Sequence, residues 1–117
     1  MATYSKLDLS QSVSGQSISV TGSTNSTTTL IHTAVSGTTD WDEIYVYAYN
    51  GHTIDTTLTI QWGGTATADE WILTIGYKKG FVLVIPGFLL NNSKLVRAYA
   101  GVANVVTING FVNQITA

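Results

Sequence analysis

Between residues 43 and 62 the side-chain character of this chain flips at nearly every position. The stretch reads Glu-Ile-Tyr-Val-Tyr-Ala-Tyr-Asn over 43–50, then a short Gly-containing break, then Thr-Thr-Leu-Thr-Ile-Gln-Trp over 56–62. Ile44, Val46 and Ala48 share one side and Tyr45, Tyr47 and Tyr49 the other, while Leu58, Ile60 and Trp62 oppose Thr57, Thr59 and Gln61. Successive side chains of a strand point to opposite faces, so this period of two specifies strands with one buried face. Two such runs joined by a short break predict a β-hairpin. No helical 3.6-residue period is sustained beyond a turn.

The pattern recurs to the C-terminus. Strands are expected near 29–34, 43–50, 56–62, 70–76, 80–86, 94–100 and 103–113. Between them lie Ser36-Gly37-Thr38, Asn50-Gly51-His52, Gly63-Gly64, Lys78-Lys79-Gly80, Pro86-Gly87, Asn91-Asn92 and Gly101, residue types that supply positive φ or side-chain-stabilised turns. This spacing predicts an all-β fold, a single antiparallel β-sandwich of jelly-roll-like form. The run Phe-Val-Leu-Val-Ile at 81–85 is apolar at every position. It is therefore expected to be covered on both faces, either centrally in the sandwich or at a subunit contact.

Residues 1–27 differ from the sandwich domain at 28–117. They are rich in Ser, Thr, Gln and Gly, with widely spaced apolar residues at Tyr4, Leu7, Leu9, Val13, Ile18 and Val20. Such a segment is too polar to form its own core. The alternation Ile18-Ser19-Val20 predicts one short strand within an extended arm, and the spaced apolar residues are candidate contacts to a neighbouring subunit. On this reading, deleting residues 2–20 leaves the sandwich folded.

Composition narrows the function. At 117 residues the chain can bury a sizeable core, and without cysteine it has neither disulfides nor thiolate metal sites. It has no run of about 18 apolar residues and no apolar signal-peptide segment, so nothing directs it to a membrane. Only 10% of residues are Asp, Glu, Lys or Arg, against about 25% in ordinary soluble domains. A surface so thinly charged is poorly defended against association; it fits either a Thr- and Ser-rich β domain kept soluble by its hydroxyls or a subunit much of whose surface is buried in an oligomer or lattice. The five cations are scattered at 6, 78, 79, 94 and 97 within a net charge of −2, which lacks the electrostatic footprint of nucleic-acid binding.

Few groups carry reaction chemistry. Asp40, Asp42 and Glu43 precede one strand, and Asp69-Glu70 another, but neither has the ligand spacing of a calcium loop. Two acids flanking a sugar would have to converge from these clusters. No Gly-x-Ser-x-Gly elbow is present. A hydrolase reading would pair His32 with an acid such as Asp40, whereas a structural, hydrogen-bonded histidine is the simpler expectation. The remaining candidates are aromatic. Trp41, Trp62, Trp71 and the tyrosines at 45, 47 and 49 could stack on sugars, yet aromatics on strands more often pack across strands or at interfaces. Trp41, Tyr45 and Tyr47 are the preferred interface candidates. No cofactor is expected.

The order of several short motifs resembles a group of small β-proteins encoded with the structural genes of tailed bacteriophages, many from marine or cyanobacterial hosts. The motifs are Leu30-Ile31-His32-Thr33-Ala34, the segment 42–50, Leu58-Thr59-Ile60-Gln61-Trp62-Gly63-Gly64, Val84-Ile85-Pro86-Gly87, Val96-Arg97-Ala98-Tyr99-Ala100-Gly101 and Asn109-Gly110-Phe111-Val112-Asn113. The resemblance runs from Thr28 to Ile115. It implies a capsid decoration, or cement, protein: a homotrimer on the capsid exterior whose partner is the major capsid protein. It supplies no catalytic residues. The alternative is a carbohydrate-binding module of a phage fibre, or a free lectin, using Trp41, Trp71 or the tyrosine stripe as its platform.

Overall fold

The computed structural model describes residues 2–117. Its strands are β1 (Thr3–Asp8), β2 (Ile18–Ser19), β3 (Thr29–Thr33), β4 (Trp41–Asn50), β5 (Thr56–Trp62), β6 (Glu70–Ile75), β7 (Val82–Leu90), β8 (Leu95–Ala100) and β9 (Val106–Thr116). One sheet has the order β1-β9-β4-β7, with β2 also on β9; the other has the order β3-β8-β5-β6. All ladders are antiparallel, and β2 to β9 pair as a nested set: β2 with β9, β3 with β8, β4 with β7 and β5 with β6. That nesting is one long hairpin rolled into two packed sheets, the jelly roll. β1 is an added edge strand along the far half of β9.

Alternation places the core as expected. Ile44, Val46 and Ala48 of β4, Leu58 and Ile60 of β5, Val96, Ala98 and Ala100 of β8, and Val106, Ile108 and Val112 of β9 are buried together between the sheets. Trp62 and Trp71 stack at 5.2 Å and meet Phe88 of β7 edge-on, which fastens one sheet to the other. Both tryptophans are thus committed to packing.

The expected hairpin between 43–50 and 56–62 does not form: β4 pairs with β9 and β7, and β5 with β6 and β8. The break at 51–55 instead carries the chain from one sheet to the other. Asn50 fixes this corner. Fully buried, its Nδ2 donates to the carbonyls of Ile54 (3.0 Å) and Ile75 (2.9 Å), and its Oδ1 accepts from the His52 N–H (2.9 Å). A buried amide with these partners satisfies backbone groups that a ladder would otherwise satisfy.

The segment expected as a separate arm, 1–27, is over its described residues 2–27 likewise part of the sandwich. β1 and β2 are strands of the chain's own sheet, and Leu9 and Val20 are fully buried in the common core. Between β1 and β2 the chain crosses to the other sheet. The Ser10 N–H donates to His32 Nδ1 (2.9 Å), Ser10 Oγ accepts from the Thr33 N–H (2.7 Å), and the Gln11 N–H reaches the Ile31 carbonyl (3.4 Å). The N-terminal segment is therefore a strap that closes one side of the sandwich. Its polarity reflects the exposed β1, and its two core residues are too far apart in sequence to register as a pattern.

The run 81–85 is not central. It opens β7, the edge strand beside β4, with Val84 and Ile85 inward and Phe81 and Leu83 about half exposed. Of the two expectations for this run, only coverage by a partner remains.

Candidate functional site

The outward residues of the five-stranded sheet form one continuous face. From β4 come Trp41, Glu43, Tyr45, Tyr47 and Tyr49. Their cross-strand partners on β9 are Ile115, Asn113, Phe111, Asn109 and Thr107. β7 adds Leu89, Pro86 and Leu83 opposite Glu43, Tyr45 and Tyr47, and β1 adds Tyr4, Lys6 and Asp8 opposite Ile115, Asn113 and Phe111. A ten-residue strand and four strands side by side, each about 4.8 Å wide, give a face of roughly 33 by 19 Å, or about 600 Å². Lys6, Asp8 and Glu43 are its charged strand residues.

Stacking orders the centre of this face. Tyr45 lies on Phe111 with centroids 4.7 Å apart and planes 16° apart, and the Lys6 ammonium sits 4.8 Å over the same Phe111 ring. On the other side the Tyr45 ring covers Gly87, where an added Cβ would lie 2.8 Å from the ring and φ is +99°. The bulge at Pro86-Gly87 thus exists to seat the ring. The Tyr45 hydroxyl donates to Glu43 Oε1 (3.0 Å), and this hydrogen bond, with smaller contributions from desolvation and nearby charge, raises the phenol above its ordinary value. Tyr47, Phe81, Asn109, Gly110 and Phe111 line a shallow groove of about 280 Å³, and Phe81 also packs on Tyr49 at 5.7 Å.

The interface residues expected from sequence divide into three groups. Tyr4, Trp41, Tyr45 and Tyr47 lie on this face. Leu7 and Val13 are exposed elsewhere on the N-terminal strap, and Ile18 is half-buried against the core. Leu9 and Val20 are withdrawn as interface residues, since the chain's own core covers them completely. Phe81 and Leu83, from the run expected to be covered on both faces, also belong to the face, whereas Leu89, Phe111 and Ile115 were missed. Parity along β9 could have found Phe111 and Ile115, because Thr107, Asn109 and Asn113 share their side. The bulges in β7 hide Leu89.

His32 meets Asp42 rather than Asp40, at 2.7 Å between Nε2 and Oδ2. Because Nδ1 accepts from the Ser10 N–H, the proton of the neutral ring resides on Nε2 and is donated to Asp42. Asp42 also accepts from the Val35 N–H (3.1 Å) and from Gln114 Nε2 (3.0 Å). With both ring nitrogens engaged and the pair buried, His32 has no free lone pair to present to a substrate. It joins strap, β3, β4 and β9. Asp40 Oδ1 instead accepts from the Ala117 N–H. Among the described residues no three His, Asp or Glu side chains converge on a metal position. Comparison of the chain with protein-family models, curated proteins and solved structures returned no match.

Proposed function

We propose that this protein is a virion structural subunit, a decoration protein that binds the outer surface of a capsid lattice as a homotrimer. The observation that carries the reading is the face of β1-β9-β4-β7, about 600 Å² of mainly aromatic and aliphatic side chains with three charged residues. A typical stable interface takes about 800 Å² of accessible surface from each partner, which this face can largely supply. Aromatic enrichment with depletion of charge is the composition of interface cores. The order of motifs from Thr28 to Ile115 supports a capsid as the partner. The jelly roll is compatible with shell proteins and with lectins alike.

On this reading the free energy of lattice stabilisation is apolar area buried when subunits occupy neighbouring positions on the shell. Binding only the assembled lattice raises the stability of that lattice by mass action. The test is to mix the protein with undecorated shells of a candidate phage and to quantify it in purified virions. The reading expects stoichiometric incorporation on the shell. Absence from shells, or confinement to the tail, refutes it.

A second reading is favoured by one feature, the groove of Tyr47, Phe81, Asn109 and Phe111. Rings beside an amide are the elements of sugar stacking. A glycan array with tyrosine-dependent binding, lost in Tyr47→Ala, would support this alternative; an array without signal removes it.

A further inference from the structure

On the opposite sheet a second depression, of about 220 Å³, is lined by Gln61, Gly63, Gly64, Ser93, Lys94, Leu95 and Arg97. Its origin is local. The β7–β8 turn places Asn92 and Ser93 at φ of +59° and +55°, with the Lys94 N–H closing onto the Asn91 carbonyl at 3.2 Å. Positive φ at both central residues is the tight turn that matches strand twist. At Ser93 it is conformationally costly, and strain of this kind gathers at ligand sites. Gly63, at φ +74°, ends β5 beside this turn, and an added Cβ there would lie 3.6 Å from Lys94.

Two observations distinguish the depression from an ordinary surface dip. Gln61 is 2% exposed although it projects from the outer face of its sheet, between Arg97 of β8 and Glu70 of β6. Its Nε2 donates to Glu70 Oε2 at 3.0 Å, which fixes the amide orientation, and its Oε1 is left buried with no partner. A buried acceptor without a donor costs about 1–3 kcal/mol. Two of the five cations of the chain, Lys94 and Arg97, line the same depression. Among the described residues neither Lys94 nor Arg97 forms a salt bridge with a carboxylate.

We propose that this depression binds a hydroxylated carboxylate, of the class of a single uronic acid residue. A ligand hydroxyl donates to Gln61 Oε1, the group that lacks a donor. The ligand carboxylate accepts from Lys94 and Arg97, which form no salt bridge among the described residues. A depression of about 220 Å³ suits one small ring rather than a long chain. A neutral sugar would leave the cations unused, and a bare anion would leave the amide oxygen orphaned. This site lies on the sheet opposite the assembly face, so the proposal stands apart from the decoration reading.

The experiment is titration of the full chain with sodium glucuronate, glucose and sodium sulfate, followed by calorimetry and by the side-chain amide resonances of 15N-labelled protein. Glucuronate is expected to bind with Kd near 1 mM, as befits a ligand of this size, and to shift the Gln61 amide signals, with glucose far weaker. Arg97→Gln should weaken binding at least about ten-fold, the loss of one charge-assisted hydrogen bond. Gln61→Met is the more incisive variant, since it removes the orphaned oxygen. It should abolish glucuronate binding while leaving the melting temperature unchanged or higher, an outcome that a purely structural role for Gln61 does not produce. No response to glucuronate overturns the proposal. Equal affinity for sulfate also overturns it, since that marks an adventitious ion only. A Gln61→Met protein that is destabilised yet still binds would overturn it as well.

Discussion

Leu9→Ala separates the strap from a detachable arm. Leu9 is fully buried in the core shared by both sheets, so its truncation removes about three buried carbons and leaves a cavity. Substitutions of this kind cost about 3–5 kcal/mol where the surroundings cannot collapse. Against a typical domain stability of about 5–15 kcal/mol, that is a large fraction. With a urea m-value of about 1.5 kcal/mol/M, the denaturation midpoint should fall by about 2–3 M. Deleting residues 2–8 is the control. All six side chains of β1 are exposed, and its ladder to β9 gains about 1 kcal/mol per hydrogen bond while ordering each residue costs a similar amount. The deletion should therefore move the midpoint by less than about 1 M. Both transitions can be followed by far-UV circular dichroism in urea. If Leu9→Ala leaves the midpoint in place, or if the deletion costs as much as Leu9→Ala, the strap does not close the sandwich as described. Deleting residues 2–20 removes Leu9 and Val20 together and should prevent folding.

Three further outcomes follow from the same contacts. Val84→Asp places a carboxylate at a position only 8% exposed within the core cluster, at a cost of several kcal/mol, so the variant should be insoluble; soluble protein with an unchanged melting temperature refutes the inward setting of β7. Asn50→Ala removes three hydrogen bonds at the corner between β4 and β5 and should cost about 2–4 kcal/mol by chemical denaturation, whereas a loss below about 0.5 kcal/mol would mean that the corner does not depend on it. In a spectrophotometric titration near 295 nm one tyrosine, Tyr45, should ionise above the ordinary value of 10.0, and Glu43→Ala should return it. Since the folded phenol keeps its proton to higher pH than the unfolded one, this contribution to stability is complete below about pH 10 and is lost as pH rises through the folded value.

Strand positions were legible because alternation is a property of single strands. The expected segments 56–62 and 70–76 coincide closely with β5 and β6, and the tyrosine stripe falls on one face as its parity requires. Pairing was not legible in the same way. Ile44, Val46 and Ala48 look identical whether their partner is β5 or β9, and only the burial of Asn50 reveals that the chain changes sheets there. The strap escaped notice because Leu9 and Val20 are single anchors in a polar segment, without a period. The outward face of β1-β9-β4-β7 was half visible. Its β4 and β9 residues obey parity, but the bulges at Gly87 and Val84 shift the register of β7, so Leu83 and Leu89 cannot be assigned to a face by counting. The depression around Gln61 gave no sequence signal, because Gln61 and Arg97 become neighbours only through the pairing of β5 with β8.

The central claim is that the face of β1-β9-β4-β7 is covered by other subunits. Light scattering of the purified protein at micromolar concentration tests it most directly, together with Leu83→Glu, which sets a charge on the β7 side of that face, opposite Tyr47, without touching the core. The account predicts a species of three times 12.5 kDa for the native chain and a folded monomer for Leu83→Glu. A native chain that remains a 12.5 kDa monomer throughout that range, or a Leu83→Glu protein that still assembles, would contradict it.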